Sequence, residues 1–375
     1  MAGIYIHIPY CKKICNYCDF YKVITPQDTK PFMAALKKES EIRAGYLANE
    51  TISTIYFGGG TPSVLSVKEL SYILSILYKN YTIEENCEIT AEINPDDPDS
   101  TWLKALKQTG FNRVSLGIQS WRDDDLKFLN RRHDSAQAEN TLVNSIKAGF
   151  ENVTIDLIYG LPGLSSSGWA ENLDKSLSFD IQHISAYHLT IEPGTIFGKM
   201  KKSGHLSEIE EEESGNQFNI LTEKTEKSGF IHYEISNFGK PGFFSRHNTN
   251  YWKQVNYLGL GPSAHSFNNF SRQWNINNVH KYIDAVNGEK SFFEVEELNL
   301  KTRFNEYIMT SMRTMWGVDL EYIEKIFDKE GYDYVMNTAG KFIGYGLMKH
   351  ENKNLVLTNQ GKMISDNIIS EFMMV

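Results

Sequence analysis

The chain has 375 residues and an ordinary apolar content, room for one large domain of about 200–250 residues and a smaller one. Its formal net charge is −9, with no basic tail or Lys/Arg stripe. That counts against a nucleic-acid partner, because neutralising phosphates needs clustered positive charge. No run of roughly 18 apolar residues occurs and the N-terminus leads straight into a strand pattern, so neither an integral membrane protein nor a signal peptide is expected. The chain reads as cytoplasmic, where grouped cysteines mean metal more often than disulfide.

β-branched runs alternate with amphipathic helical stretches over more than half the length. The strand-like run Ile4–Ile8 is followed by a loop holding Cys11, Cys15 and Cys18, and then by a helical pattern over Lys30–Leu47. Strand Thr54–Phe57 ends in Gly58, Gly59, Gly60 and Thr61, and Val67–Leu77 is helical. Strand Glu88–Ile93 carries Glu92 and is closed by Asn94; Ser100–Thr109 is helical; Gln119 follows strand Arg113–Ile118. After the helical stretch Ala136–Ala148, strand Thr154–Ile158 contains Asp156 and runs into the turn Tyr159–Gly163. Helical Trp169–Leu177 and strands Ile184–Leu189 and His232–Ile235 complete the series. Such alternation predicts an α/β fold of six or seven parallel βα units, forming either a barrel or a partial (βα)6-type barrel, with functional groups at the C-terminal strand ends. A single polar residue at a strand end can merely cap a turn, but five strands with one on the same rim favour a site.

Glu208–Glu213 reads as a solvated acidic helix start without a ligand role. From Phe238 to Phe270 the rhythm fails in a stretch rich in Gly, Asn and aromatic residues, and after Val279 the chain turns helical again. Short helices are expected over Asp319–Phe327 and Tyr332–Ala339, small strands over Leu347–Lys349 and Leu355–Leu357, and a helix over Asn359–Ile369. This order predicts a winged-helix-like module; lacking a basic recognition helix, it reads as a packing or substrate-covering domain. The expected division is a barrel at 1–236, an irregular segment at 237–290 and a C-terminal module at 291–375.

Thiolates select iron–sulfur clusters, zinc or Cu(I). Structural zinc wants a fourth protein ligand at short spacing, but the next cysteine is Cys87, inside a strand pattern where a small buried apolar residue fits. His7 lies in the strand before the loop, a weak candidate. Three thiolates are one fewer than a four-iron cluster ordinarily takes, which leaves one iron for a ligand that is not protein.

The segment Pro9-Tyr10-Cys11-Lys12-Lys13-Ile14-Cys15-Asn16-Tyr17-Cys18 resembles the motif of the radical S-adenosylmethionine (SAM) superfamily. The resemblance implies that Cys11, Cys15 and Cys18 hold a 4Fe–4S cluster whose fourth iron is chelated by SAM, and that reduction cleaves SAM to methionine and a 5′-deoxyadenosyl radical. Five further segments resemble the HemN/HemW family: Gly3–Pro9, Phe57–Pro62, Gly117–Ser120, Asp156–Pro162 and Tyr257–Ala264. This family contains oxygen-independent coproporphyrinogen III oxidases and heme chaperones, and the likeness spans nearly the whole chain. It places Tyr5, Tyr17, Gly59, Gly60, Thr61, Glu92, Gln119, Arg131 and Asp156 around SAM. Within it, Gly59 and Gly60 let backbone approach the methionine end, Tyr17 packs on adenine, and Arg131 pairs with the carboxylate. Arg131 as a surface charge and Tyr5 as plain core are the bland alternatives.

Two functions compete on this resemblance, a heme chaperone and a coproporphyrinogen oxidase that decarboxylates its substrate; a radical methyltransferase is a distant third. The oxidase branch carries a cysteine two residues beyond the third ligand, where this chain has Phe20. It also has a long N-terminal extension, whereas this chain is expected to start at its first strand. The run His247-Asn248-Thr249-Asn250-Tyr251-Trp252 resembles a motif of the chaperone branch. Imidazole is a standard heme ligand, so His247, Asn248, Tyr251 and Trp252 form the expected heme site, with His188 and His265 as rival ligands. A lone loop histidine is more often a hydrogen-bonding residue, and Tyr251 and Trp252 could be an apolar anchor. The expected function is a chaperone that binds the cluster, SAM and heme and passes heme to a membrane-associated acceptor.

Overall fold

The computed structural model describes residues 1–374. Six parallel strands form the heart of one large sheet: β1 (Ala2–Ile8), β2 (Ile52–Gly59), β3 (Ile83–Ile93), β4 (Arg113–Gln119), β5 (Asn152–Tyr159) and β6 (His183–His188). Intervening helices cover their outer face. The strands alternate with period two, as a pleated strand must. Ile4, Ile6, Ile8, Ile55, Phe57, Ile89, Ala91, Val114, Leu116, Ile155 and Ile184 enter the main apolar core. The residues between them, Tyr5, Tyr56, Glu92, Arg113, Ser115, Asp156, Ser185 and Tyr187, line cavities on the inner face. The result is a partial barrel with an apolar outside and a polar inside. Its helices begin where the sequence supplies caps: Ser66 and Glu69 form a capping box at Val67–Asn80, and Asp134 and Gln137 form another at Ser135–Lys147.

The sheet continues at both ends. Beyond β6 lie two antiparallel strands, β7 (Ile231–Glu234) and β8 (Asn237–Gly239), with β8 between β6 and β7. His232–Ile235, expected as a further parallel unit, does run parallel to β6 and is reached through the helices Ile196–Lys202 and Glu211–Lys227, but the antiparallel β8 separates it from β6. The intervening β8 comes from a hairpin that turns at Ile235-Ser236 and folds back between the two parallel strands. On the other side β9 (Tyr257–Leu260) pairs parallel with β1, and β10 (His265–Phe267), β11 (Ser271–Asn275) and β12 (Phe293–Glu297) add an antiparallel ribbon. The segment expected to lose βα rhythm thus supplies strands to the same sheet. They are only three to five residues long, too short for an alternation pattern to be read.

A second apolar core, from Phe304, Ile308, Met312, Ile323, Val335, Phe342, Leu355 and Phe372, organises the C-terminal module. Its small sheet orders Val318–Asp319, Asn354–Leu357 and Met348–Glu351. The helix Leu320–Gly344 breaks at Phe327-Asp328, where Asp328 adopts φ 60° and its carboxylate accepts from the amides of Glu330 and Gly331. The helix expected over Asn359–Ile369 is two, Asn359–Met363 and Ser365–Glu371, parted at Ile364.

Candidate functional site

The cysteine loop leaves β1 and is fixed before it reaches any ligand. Tyr10-Cys11 pairs with Val23-Ile24 as a two-residue parallel ladder. Asn16 donates to the carbonyls of Leu129 and Phe128 at 3.2 and 2.8 Å and accepts from the Phe197 amide at 3.0 Å, while Asn130 donates to the Ile14 carbonyl at 2.8 Å. Cys11 Sγ lies 3.4 Å from the Thr61 hydroxyl, and Arg131 Nη1 donates to Cys15 Sγ at 3.4 Å. Burial pushes the Cys11 thiol up to about 11 and raises that of Cys18. Without a cation the loop therefore favours thiols, and a bound metal must supply the charge that stabilises thiolates.

The three cysteines open on an inner cavity of about 530 Å³. Tyr17, Gly59, Gly60, Thr61, Glu92, Gln119, Arg131 and Asp156, all singled out in the sequence, line it together. Tyr5 does not: it lies with the neighbouring outer cavity, its hydroxyl sharing a 3.3 Å hydrogen bond with His7 Nδ1. Arg131 Nη2 donates to the Gly117 carbonyl at 2.8 Å and also to Asn94, and its Nε is buried without a partner. Glu92 accepts from the Tyr56 hydroxyl at 2.8 Å. Ser115 donates to both Asp156 oxygens at 3.0 and 3.2 Å. Burial, reinforced by the Asp156 charge, lifts Glu92 to about 7; burial lifts Asp156 to about 6. Gln119 holds φ 67°, an uncommon backbone for a non-glycine residue, at the mouth of β4.

The sequence reading missed Arg113, Ser115 and Ser185 in this wall. Arg113 is 1 % exposed, donates to the Thr154 hydroxyl, and has Nε and Nη1 buried without partners. The available signal was an arginine on the polar phase of an otherwise apolar strand, Arg113-Val114-Ser115-Leu116.

An outer cavity of about 570 Å³ adjoins the inner one, and Asp19, Phe20, Tyr56, Gly59, Glu92, Tyr187 and Asn248 line both. Its far wall is the ribbon (Tyr257, His265, Phe267, Arg272), and Glu306 and Thr310 of the C-terminal module close one side. The motif at 247–252 is a short helix, Arg246–Trp252, whose Arg246 and His247 amides are accepted by Glu88 at 3.1 and 3.0 Å. Both ring nitrogens of His247 are engaged: Nδ1 with the Thr54 hydroxyl and Nε2 with the Tyr251 hydroxyl, each at 2.9 Å. The ring is 1 % exposed and stacks on Tyr56 at 5.1 Å. Burial pushes its pKa down to about 3. His247, Asn248 and Tyr251 line the outer cavity, whereas Trp252 lines a separate groove with Trp316 and Tyr322. Three of the four residues expected at the heme site therefore share the outer cavity, and Trp252 lies apart from them.

Residues 5–175 match the model of the radical SAM superfamily. The chain is 33 % identical to the heme chaperone HemW of Lactococcus lactis over 99 % of its own length and 97 % of the relative's. It belongs to the HemN/HemW family of radical SAM proteins. The heme chaperone HemW of Bacillus subtilis is 31 % identical over 100 % of this chain and 99 % of its own. Coproporphyrinogen III oxidase HemN of Escherichia coli superposes with a TM-score of 0.85 at 23 % identity, covering 99 % of this chain and 90 % of that one, a likeness of fold.

The radical SAM superfamily implies a 4Fe–4S cluster and SAM, and the inner cavity fits both. A Cβ on Gly60 would lie 2.7 Å from the carbonyl oxygens of Ile8 and Tyr10, and one on Gly59 2.6 Å from the His7 ring, so only glycine fits against the end of β1, and backbone rather than side chain lines this part of the cavity. Beside that cleared wall stand buried carboxylates suited to an amino group or ribose and an arginine with a spare N–H suited to a carboxylate. Among the described residues no three His, Cys, Asp or Glu side chains converge as ligands of a single ion.

Proposed function

We propose that this protein is a heme chaperone of the HemW type, which holds a 4Fe–4S cluster and SAM in the inner cavity, takes heme in the outer one, and delivers it to a membrane-associated acceptor. The single observation behind this reading is the pair of adjoining cavities, with Phe20 in their common wall where the oxidase branch carries a cysteine. Phe20 is 68 % exposed, and an apolar ring held in water at a cavity mouth is stabilised when a flat apolar ligand covers it. The full-length relatives named heme chaperone support the same reading. Among the described residues no helix is long and apolar enough to cross a membrane, so delivery would be by docking.

A 4Fe–4S cluster would be held by Cys11, Cys15 and Cys18 and would supply reducing power beside the SAM sulfonium. The protein's own part is placement. Arg131 and Asn94 would hold an acid group beside Cys15, Glu92 and Asp156 would take positive charge and hydroxyls, and Tyr17 would pack on the base. Because Glu92 and Gly59 belong to both cavities, occupancy of one alters the wall of the other. Coupling of this kind requires that SAM or cluster state change heme affinity, and the reverse by the same factor. An anaerobic assay that offers coproporphyrinogen III and heme to the reconstituted, reduced protein with SAM tests the reading. Stoichiometric heme uptake without protoporphyrinogen is expected; steady protoporphyrinogen formation would transfer the chain to the oxidase branch.

A further inference from the structure

We propose that the heme iron is held by His265 of β10, not by His247, with the macrocycle lying along the aromatic face of the ribbon and a propionate on Arg272. The assignment rests on the heme-carrier reading above and names the ligand within it.

Four histidines line the two cavities; two have both ring nitrogens engaged and a third is shut in. His247 gives both nitrogens to Thr54 and Tyr251 and is sealed under Tyr56. His7 shares Nδ1 with the Tyr5 hydroxyl and Nε2 with the Tyr21 carbonyl at 2.9 Å. His188 has a buried, unpartnered Nε2, but it packs on Gly160 so closely that a Cβ there would lie 2.5 Å away, which leaves no room for an iron. His265 alone is exposed, lines the outer cavity, and among the described residues has neither ring nitrogen in a hydrogen bond. Burial and the nearby Arg272 charge lower its pKa, so the ring is neutral at pH 7 and has a lone pair to give.

The register of the ribbon places the rest. Tyr257 lies opposite Phe267, Phe267 opposite Arg272, and His265 opposite Trp274. With alternation along each strand, these five side chains share one face. Tyr257 and Phe267 stack at 6.1 Å and His265 lies 6.3 Å from Trp274, an apolar strip with an imidazole at one end and a guanidinium along it. Arg272 already pairs with Glu306 of the C-terminal module at 2.9 Å, so a propionate would compete with the module's carboxylate for it. Metal-bound imidazoles usually donate their second N–H to a carbonyl or carboxylate, which strengthens them as ligands. His265 has no such partner, which suits a site that must give its iron up.

The test titrates hemin into the full-length, cluster-reconstituted protein and reads the Soret band and the EPR or magnetic circular dichroism signature of the axial ligand. Wild type should show histidine ligation. His265→Ala should lose that signature and bind about tenfold or more weakly, with added imidazole restoring the band. His265→Cys should turn the spectrum into that of a thiolate ligand, a change no indirect structural role produces. His247→Gln, checked for fold by circular dichroism and cluster content, should keep histidine ligation. A His265→Ala protein with unaltered spectrum and affinity, a His265→Cys protein without thiolate character, or loss of histidine ligation in folded His247→Gln would each overturn the assignment while leaving the carrier reading intact. A wild-type protein that takes up no heme would instead overturn the carrier reading itself.

Discussion

The two cavities share a wall but are built from different material. The inner one is walled by the ends of long parallel strands buried on both sides, and its polar groups are locked: Arg131 on Asn94 and Gly117, Asp156 on Ser115, Glu92 on Tyr56. The outer one is bounded by barrel strands, the 246–252 helix and the ribbon, rich in aromatic rings, with Glu306 and Thr310 of the C-terminal module closing one side, the Arg272–Glu306 ion pair across that seam and exposed Phe20 at its mouth. A site that must present SAM in one geometry needs preorganised donors. A site that must load and unload a large flat ligand needs apolar area and a wall that can move. The contrast assigns positional precision to the inner cavity and exchange to the outer.

Loss of a cluster thiolate tests the inner side hardest: Cys15→Ala should abolish the four-iron cluster, read as iron and sulfide content and visible absorbance, and a fully retained cluster would remove the ligand assignment. On the outer side, Phe304→Ala in the second core should cost about 3–5 kcal/mol. Differential scanning calorimetry should show the module melting early while the cluster spectrum persists; a single cooperative loss of both would mean the two regions are one unit. Glu92→Gln should weaken SAM binding roughly tenfold or more, about 1.5–3 kcal/mol for a hydrogen bond to a charged group, with heme affinity changed much less. Equal effects on both ligands would erase the distinction between the cavities. Thr54→Val, which strips His247 Nδ1 of its partner, should lower stability by about 1–3 kcal/mol and leave the heme spectrum unchanged.

The smallest effect expected is one of pH. Glu92 and Asp156 have folded pKa values above those of the unfolded chain, so the native state binds more protons between about pH 4 and 7. Stability without ligand is therefore fully present below pH 4 as far as these two groups are concerned, and falls as pH rises to about 7. Their share of this fall should vanish in Glu92→Gln/Asp156→Asn and shrink when SAM brings positive charge beside them. A ligand-free melting temperature that shows no difference in pH slope between wild type and this variant would contradict the burial of these carboxylates.

Much of the inner site could be read from the chain because it is local. Cys11, Cys15 and Cys18 lie within eight residues, and Thr61, Glu92 and Gln119 end strong strand patterns that can only run parallel. Arg113 escaped because a lone arginine in a strand looks like surface until both faces of the sheet are known to be covered. The ribbon escaped because its strands are too short to show a period, and their place beside β1 is set by pairing across some 250 residues of sequence.

The 247–252 motif shows where that limit falls. Its residue types advertise a ligand, and as sequence it is hard to read otherwise. Helical spacing already puts His247 one turn before Tyr251, but the partner at Nδ1, Thr54, is nearly two hundred residues away. Sequence alone determined the parallel α/β order, the close grouping of the three cysteines and the family, since each follows from neighbours in the chain or from period-two alternation. Only tertiary structure decided which histidine has a nitrogen to spare, because hydrogen-bond satisfaction of a buried ring depends on groups that folding brings together from distant strands.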